Sequence, residues 1–382
     1  MHEKMDRTMK LSTIKNKKVL LRVDYNVPMK NNKVQDKTRI TESIPTITEL
    51  LNNENSIIIL SHMGKITKEK DKKETSLYPV YLILKTIFDK VYFSYETTGN
   101  ELTKKASSLN KGEILLIENT RYEDIHNNRE SLCSASLSSY WARLADVFVF
   151  DAFASIHRNH ASTYGITKIL PSYMGFLVKK ELEELKSISK IKEKTIILGG
   201  AKVSTKLPLI ENLLPKSSKV LIGGLICFTF LKAKGYNVGA AYVEEDKVPL
   251  ALKLLKKYPN KIVLPVDFIT KNKTVALQDI QNKDVFYDIG PLSTKLFIRN
   301  IKTSYVVWNG PLGYAEKKEY RASTETICDC LNKKEIKTLV CGGDTVSIIK
   351  KMTLDTAYYS TGGGASLEYL SGVKFNILKN LK

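Results

Sequence analysis

The sequence lacks the features that mark membrane, disulfide-rich and zinc-binding proteins. Among its 382 residues there is no run of about 18 uncharged apolar residues, so a membrane-spanning helix is not expected. Its five cysteines form no CxxC pair, which argues against a disulfide framework or a thiolate metal site. His157 and His160 form an HxxH pair without an acidic or thiol ligand nearby, so no structural metal is predicted.

A secretory signal is also missing from the start of the chain. Residues 1–10 include Glu3 and Asp6 and contain neither an apolar core nor a small-residue cleavage site. A hydrophobic content of 43% and a charged content of 26% are typical of soluble globular proteins. We therefore expect a cytoplasmic protein, and 382 residues are enough for two domains that each bury their own core.

The most unusual global property is a formal net charge of +20, with a pI near 9.4. Such a charge fits a nucleic-acid binder, a membrane-surface protein or an enzyme with polyanionic substrates. The lysines are spread over most surface-like segments, and neither a recognition-helix signature nor an aromatic-rich strand motif accompanies them. This distribution favours phosphorylated small-molecule ligands over a nucleic-acid or membrane partner.

Short β-branched or apolar runs recur along the chain with helical patterns between them. This alternation predicts βαβ units, parallel sheets and an α/β fold. The predicted strands are 18–23, 56–61, 113–118, 147–151, 195–198, 219–222, 261–265, 304–308, 337–341 and 357–360. The predicted helices are 79–88, 131–145, 247–258 and 321–331. Residues 171–175, followed by a charged helical segment at 176–190, separate the two sets of strands and predict an interdomain helix.

Polar side chains follow each of the first four predicted strands. Ligands of open α/β sheets bind beyond the carboxyl ends of the strands, so these side chains are expected to converge. They are Asp24 and Asn26, His62 and Lys65, Arg121, and His157 with Arg158, joined by Arg39. Any one of them alone could be a solvated loop charge or a local ion pair. As a group they fit a phosphorylated carboxylic acid, because arginine binds carboxylate and phosphate oxygens in a bidentate manner.

The second half of the chain is rich in glycine turns between strands and helices. The turn at 199–206, which contains Gly200, Lys202 and Lys206, matches neither the Walker A nor the GxGxxG spacing. It is compatible with a phosphate cradle and with a tight turn. In the turn formed by Gly342, Gly343 and Asp344, the carboxylate is suited to hold Mg²⁺ or to cap the helix.

Three further glycines at 362–364 fit an amide nest or a hinge. Taken together, the two halves suit an enzyme that moves a phosphoryl group between a small anionic acid and a nucleotide.

The ordered motifs along the chain resemble those of the phosphoglycerate kinase family, over essentially its whole length. The motifs are 21–28 (LRVDYNVP), 38–40 (TRI), 61–64 (SHMG), 118–121 (ENTR), 151–162, 199–206 (GGAKVSTK), 308–313 (WNGPLG), 342–345 (GGDT) and 360–368. The resemblance implies two Rossmann-like domains with parallel sheets, joined by an interdomain helix and a hinge. It also implies a monomer that converts 1,3-bisphosphoglycerate and ADP to 3-phosphoglycerate and ATP in glycolysis, with Mg²⁺ as cofactor.

The resemblance further implies a role for each matching residue. The acid substrate would contact Asp24, Asn26, Arg39, His62, Lys65, Arg121 and Arg158. The nucleotide would contact Gly200, Lys202, Lys206, Gly224, Asn309, Glu316, Gly342, Gly343, Asp344 and Thr345. Within these sets, Arg39 and Lys202 would be catalytic, Glu316 would bind the ribose and Asp344 would serve the metal.

The implied domains are an acid-binding domain at 1–170, a linking helix at 171–190 and a nucleotide-binding domain at 191–364. Residues 365–382 are expected to return to the first domain.

Five positions depart from the family pattern. They are Lys65 in place of an arginine, Thr205 in place of an aspartate, and Leu225, Phe286 and Cys341 in place of glycines. These departures motivate a second hypothesis, in which the chain is a catalytically weakened relative kept as a binding or scaffolding protein. The charge of +20 motivates a third, nucleic-acid binding with a steep salt dependence.

Overall fold

The chain folds into two compact units. The computed structural model describes residues 11–382, and the expectation about a secretory signal concerns residues outside this part. The first unit comprises residues 11–184 and 374–382, and the second comprises Leu185–Val373.

The first unit is built on a six-stranded parallel sheet. The strands of this unit are β1 (Lys18–Val23), β2 (Met29–Lys30), β3 (Lys33–Val34), β4 (Ser56–Leu60), β5 (Val91–Ser94), β6 (Ile114–Ile117), β7 (Val147–Asp151) and β8 (Ser172–Met174). Of these, β2 and β3 form a separate short antiparallel hairpin. The helices of this unit are α1 (Thr38–Asn52), α2 (Tyr78–Leu84), α3 (Asn100–Ser107), α4 (Ala135–Ala142) and α5 (Phe176–Lys190), which continues into the second unit. The strand order is β5-β6-β4-β1-β7-β8.

The central strands of this sheet are apolar because both of their faces are covered. Every residue of β4 and β7 is buried, as is every residue of β1 except Lys18. Near-continuous apolar runs are the sequence pattern of such doubly covered parallel strands. Arg22 is the exception in β1, since its side chain is charged yet only 1% exposed.

The second unit contains a second six-stranded parallel sheet and a small antiparallel sheet. The strands are β9 (Thr195–Leu198), β10 (Lys219–Ile222), β11 (Ile262–Val263), β12 (Asp267–Ile269), β13 (Thr274–Ala276), β14 (Asp288–Ile289), β15 (Tyr305–Asn309), β16 (Lys337–Cys341) and β17 (Ala357–Tyr359). The helices are α6 (Val203–Leu213), α7 (Ile226–Ala233), α8 (Val248–Lys257), α9 (Pro291–Asn300), α10 (Ala322–Lys333), α11 (Gly343–Ile349) and α12 (Gly364–Ser371). The parallel order is β11-β10-β9-β15-β16-β17, and the antiparallel order is β13-β12-β14.

Buried aspartates join the antiparallel sheet to the helices beside it. Asp267 in β12 accepts hydrogen bonds from the amides of Leu292 (3.0 Å) and Ser293 (2.7 Å) in the first turn of α9. Asp288 in β14 accepts one from the Ser323 amide of α10 at 3.1 Å. Carboxylates stabilise helix N-termini by satisfying free amides and by opposing the helix dipole. The sheet is therefore fixed against two helices.

The C-terminal residues belong to the first unit, where they extend the edge of the parallel sheet. The Lys382 amide donates to the Ser172 carbonyl at 2.9 Å, and the Met174 amide donates to the Lys382 carbonyl at 3.3 Å. The sequence analysis assigned 365–382 to this return. In the structure only 374–382 lie in the first unit, because α12 packs on α6 in the second.

The α/β class with parallel sheets is confirmed, and five strands (β1, β7, β9, β10 and β16) have the predicted limits. The sequence analysis missed β5, β8 and the antiparallel sheet, whose strands are at most four residues long and too short to show a period. The helix predicted at 131–145 is shorter, because Ser134 caps it and it begins at Ala135.

Asp151, the last residue of β7, caps the helix that leads into the second unit. Its Oδ1 accepts a hydrogen bond from the Val178 amide of α5 at 3.2 Å, while Oδ2 is buried without a hydrogen-bond partner in residues 11–382. A Cβ at Gly175 would lie 2.2 Å from the Asp151 Cγ, so only glycine allows this approach. Burial raises the pKa of Asp151 to about 6.

We predict that Asp151→Asn changes how stability depends on pH. The pKa of Asp151 is raised from the ordinary aspartate value of 3.8 to about 6 in the folded protein, so its contribution to stability is fully present below pH 3.8 and is lost as pH rises through 6. Asparagine keeps the acceptor but does not titrate. The free energy of unfolding of the wild type, relative to the variant, should therefore fall by up to about 3 kcal/mol between pH 4 and pH 8. Urea unfolding of both proteins at several pH values measures this difference, and a constant difference would contradict the prediction.

Candidate active site

A buried arginine organises the strand ends of the first unit. The Arg22 Nε donates to Ser162 Oγ at 3.1 Å, Nη1 donates to the Val23 carbonyl, and Nη2 lies 3.0 Å from His62 Nδ1. Glu130, which is 0% exposed, accepts hydrogen bonds from both the amide and the hydroxyl of Ser162. The pKa of Arg22 is lowered to about 10 by burial, which Glu130 partly offsets, so the guanidinium stays charged at neutral pH.

His62 lies between two guanidinium groups. Its Nδ1 faces Arg22, and its Nε2 lies 3.3 Å from Nη1 of Arg158. Burial, and then the nearby arginines, lower the pKa of His62 well below 6.5. The imidazole is therefore neutral and has only one acceptor nitrogen. His62 can therefore accept a hydrogen bond from only one of the two guanidinium groups.

Asp24 and Asn26 hold Arg39 beside this histidine and arginine group. The Arg39 Nη1 lies 2.6 Å from Asp24 Oδ2 and donates to the Asn26 carbonyl at 3.2 Å. Asp24 Oδ1 accepts from the Asn26 amide at 3.0 Å, and Asn26 Oδ1 accepts from the Gly64 amide at 2.9 Å. Arg39 remains 25% exposed, so part of its guanidinium is accessible to a ligand.

Arg121 completes the positive cluster. It forms a 3.3 Å ion pair with Asp124, and its Nε is buried without a hydrogen-bond partner in residues 11–382. Burial, and then the charge of Arg121, lower the pKa of Arg158. The arginines therefore repel one another, and an anion would relieve this repulsion. Lys65 is exposed in the loop after β4.

The sequence analysis did not assign roles to Arg22, Glu130 or Ser162. A charged residue inside an apolar strand is the sequence signal that could have indicated Arg22. Nothing in the sequence indicates that Glu130 and Ser162 contribute to the surroundings of Arg22. These two residues are 32 positions apart and meet only in the fold.

The glycine turns of the second unit interlock through their backbones. The amides of Gly199, Gly200 and Gly224 donate to the carbonyls of Asn309 (3.0 Å), Pro311 (2.9 Å) and Leu312 (2.9 Å). A Cβ at Gly199 would lie 2.0 Å from the Pro311 oxygen, and one at Gly224 would lie 2.4 Å from the Gly200 nitrogen. These amides are thus occupied, and of the two hypotheses for this turn the contacts favour close loop packing.

The start of α6 is occupied by an internal carboxylate. Glu244 Oε1 accepts from the Val203 amide at 2.7 Å, and Oε2 accepts from the Ser204 amide at 2.9 Å. Glu244 therefore fills the position at this helix N-terminus where the sequence analysis considered a phosphate. Lys202, the residue before the helix, is exposed.

Lys206, one turn into α6, is turned toward the protein interior. Its Nζ donates to the Gly199 carbonyl and, at 3.3 Å, to the Asn309 carbonyl. Burial lowers the pKa of Lys206 to about 8. The two lysines therefore have different surroundings, since Lys206 joins two loops and Lys202 is exposed.

Residues after β15 and β16 form a second group of contacts. The Gly310 amide donates to Thr345 Oγ1 at 2.7 Å, and Asn309 Nδ2 donates to the Cys341 carbonyl at 2.9 Å. Gly342 has a φ of +100°, and α11 then begins at Gly343 without a side-chain cap. The N-cap residue of α11 is thus a glycine, which has no side chain to offer to the first amides of the helix.

A cavity of about 410 Å³ lies beside these turns in the second unit. Gly200, Gly224, Glu316 and Asp344 are the predicted nucleotide residues that line it. The loops beside the cavity are held together by the hydrogen bonds of Lys206, Asn309 and Thr345 described above. The remaining walls are mainly apolar and aromatic and include Leu225, Phe228, Phe268, Phe286 and Tyr314.

Residues 11–382 contain no group of three or more His, Cys, Asp or Glu side chains arranged to hold a metal. The exposed Asp344 carboxylate on the cavity is an oxygen ligand of the kind that Mg²⁺ prefers. Mg²⁺ is commonly held by one or two carboxylates together with substrate phosphates, so the residues present fit a metal that arrives with a nucleotide.

A search for a bilayer-crossing helix within the same residues found none of the necessary length and apolar character.

Comparison with known proteins identifies the family. A model of the family described as "Phosphoglycerate kinase" matches residues 9–373. The phosphoglycerate kinase of Fusobacterium nucleatum is 44% identical over 377 residues, covering 94% of this chain and 95% of that protein. That of Listeria innocua is 42% identical, covering 94% of each.

Solved structures of phosphoglycerate kinases from Coxiella burnetii (TM-score 0.79, 31% identity) and Pyrococcus horikoshii OT3 (TM-score 0.83, 28% identity) each align over 96% of both chains. The chain belongs to the phosphoglycerate kinase family.

Proposed function

We propose that the two units of this kinase bind one substrate each. The reaction is the reversible transfer of the acyl phosphate of 1,3-bisphosphoglycerate to ADP, which yields ATP and 3-phosphoglycerate in glycolysis. The observation that carries the assignment of substrates is the cluster of Arg39, Arg121 and Arg158 around a neutral His62, which has an excess of positive charge suited to a phosphorylated acid. The cavity of the second unit is proposed to take the nucleotide.

On the acid side, the guanidinium groups would bind the carboxylate and phosphate oxygens of the substrate. Asp24 and Asn26 would receive its hydroxyl while they hold Arg39, and Lys65 would add a point charge from the loop after β4. His62 stays neutral, so it would add no further positive charge to the arginine cluster. In this arrangement the side chains bind and orient the acid, and none of them forms a covalent intermediate.

On the nucleotide side, Gly200 and Gly224 would form the floor of the cavity, and Glu316 would bind the ribose hydroxyls. Gly342, Gly343 and Thr345 would shape the turn beside the phosphates, and Asn309 and Lys206 would hold the neighbouring loops in place. Asp344 would hold Mg²⁺ together with phosphate oxygens of the nucleotide. The bound metal would neutralise part of the phosphate charge.

Phosphoryl transfer depends on in-line alignment and charge neutralisation more than on acid–base catalysis. Arg39 and Lys202 would supply positive charge to the migrating group, one from each unit. We propose that closure of the units, with motion at α5 and at the glycines 362–364, aligns the substrates and excludes water from the acyl phosphate. The protein is further proposed to act as a monomer in the cytoplasm.

A coupled assay with ATP, Mg²⁺ and 3-phosphoglycerate tests the activity. We expect turnover that depends on magnesium. Its absence from a correctly folded protein would instead support the hypothesis of a weakened relative kept for binding, which the cavity residues Leu225 and Phe286 motivate.

Replacing Arg39 should reduce turnover strongly. Arg39→Ala removes a partly exposed guanidinium from the proposed position of the migrating phosphoryl group, so kcat should fall by about 10²- to 10³-fold, with a smaller change in 3-phosphoglycerate affinity. The kcat of Arg39→Lys, which keeps the positive charge but lacks the planar guanidinium, should lie between the kcat of the wild type and that of Arg39→Ala. The exposed Arg143→Ala serves as the control and should match the wild type. An unchanged kcat in Arg39→Ala would contradict the role.

Substitutions of the two lysines in the glycine turn should have different effects, one on catalysis and the other on stability. Because Lys202 is exposed, Lys202→Ala should lower kcat by about 10²-fold or more without changing the melting temperature. Lys206→Ala removes the side-chain donor to the Gly199 carbonyl and one of the two donors to the Asn309 carbonyl, so it should lower the melting temperature by several degrees. The exposed Lys271→Ala is the control for both measurements. Equal losses of rate and acid binding in Lys202→Ala would count against its catalytic role.

A further inference from the structure

One end of the cavity in the second unit is a cluster of three aromatic rings. Phe228 of α7 and Phe268 of β12 are 2% and 1% exposed, whereas Phe286, just before β14, is only half-buried. The Phe286 ring stacks on Phe228 with centroids 5.0 Å apart and an interplanar angle of 21°. Its centroid is 5.1 Å from that of Phe268. The two buried rings thus support a third ring that also lines the cavity.

The backbone on either side of Phe286 is fixed. The Tyr287 amide donates to the Ile269 carbonyl at 2.8 Å, and the Ala240 amide donates to the Asp284 carbonyl at 2.9 Å. Gly239, with a φ of +59°, comes so close that an added Cβ would lie 3.2 Å from Phe286 Cε2. The ring is therefore held in place before any ligand binds, and a ligand would not have to order it.

Polar side chains do not compete for this end of the cavity. The nearby Asp288 already accepts from the Ser323 hydroxyl (2.5 Å), the Ser323 amide (3.1 Å) and the Ile289 amide (2.9 Å). The exposed carboxylates that line the cavity, Glu316 and Asp344, suit ribose hydroxyls and a metal. The planar, weakly polar part of a nucleotide is its base, and the aromatic end offers that part a matching surface.

We propose that Phe286 is the surface on which the nucleotide base stacks, and that it favours purine over pyrimidine nucleotides. This inference rests on the proposed nucleotide role of the cavity. Stacking between a base and an aromatic side chain changes affinity by roughly 5- to 150-fold, and it grows with the overlapping ring area.

The test measures nucleotide binding without turnover. Calorimetry with Mg·ADP, Mg·CDP and inorganic triphosphate compares the wild type with Phe286→Leu, Phe286→Ala and Phe286→Tyr. We expect the leucine and alanine variants to bind ADP at least about 5-fold more weakly, to lose part of the preference for ADP over CDP, and to bind triphosphate unchanged. The tyrosine variant keeps the ring and should bind ADP like the wild type.

A fluorescent base provides an independent signature. The fluorescence of ethenoadenosine diphosphate should be quenched when it binds to the wild type and to Phe286→Tyr, and should be quenched less when it binds to Phe286→Leu. The leucine variant retains an apolar side chain, so it keeps the test possible if the alanine variant does not fold. Tyr236→Leu, which changes an aromatic residue that is 39% exposed and outside the cavity lining, is the control and should leave binding unchanged.

Unchanged or tighter ADP binding by Phe286→Leu would overturn the inference, since the ring would then be filling space that a base could use. A wild type that binds no ADP would overturn it as well. A wild type that binds ADP with the expected Phe286 dependence but shows no turnover would contradict the proposed function and leave the stacking role intact.

Discussion

The burial of one positive charge is the constraint on which the cluster of arginines around His62 in the first unit depends. Arg22 stands at the end of the central strand, where removal from water costs several kcal/mol unless polar partners compensate. Ser162, the Val23 carbonyl and one nitrogen of His62 provide those partners, and Glu130 provides the opposite charge through Ser162. Because His62, Glu130 and Ser162 come from three different segments of the chain, satisfying Arg22 also ties those segments to β1.

The same burial decides the chemistry of His62. A histidine beside one buried guanidinium and facing another cannot be protonated at neutral pH, so it adds no repulsion to a cluster that is already positive. It lies between Arg22, which also donates to Ser162 and the Val23 carbonyl, and Arg158. An anionic substrate would therefore interact with the guanidinium groups of Arg39, Arg121 and Arg158 rather than with the structural Arg22.

The sequence was sufficient for most of the parallel strands, because they follow from apolar runs, but not for the short parallel strands β5 and β8. The polar residues at the strand ends followed from the geometry of open α/β sheets. The sequence was not sufficient for the partners of those residues. Arg22 to Ser162, and Val203 to Glu244, are contacts across 140 and 41 positions, which no local pattern encodes. The glycines of the turns were recognisable, but whether their amides face a ligand or a carbonyl depends on a second loop, as at Gly199 and Asn309.

The two glycine-turn helices of the second unit show why that distinction matters for a phosphate site. Both α6 and α11 follow a parallel strand and a glycine, so sequence alone treats them alike. Glu244 neutralises the start of α6, and a nucleotide phosphate brought there would meet a carboxylate. The start of α11 carries Asp344, an exposed carboxylate on the cavity. The two helix starts therefore differ in their surroundings, since the first amides of α6 are occupied by Glu244 and the start of α11 presents the exposed Asp344 to the cavity.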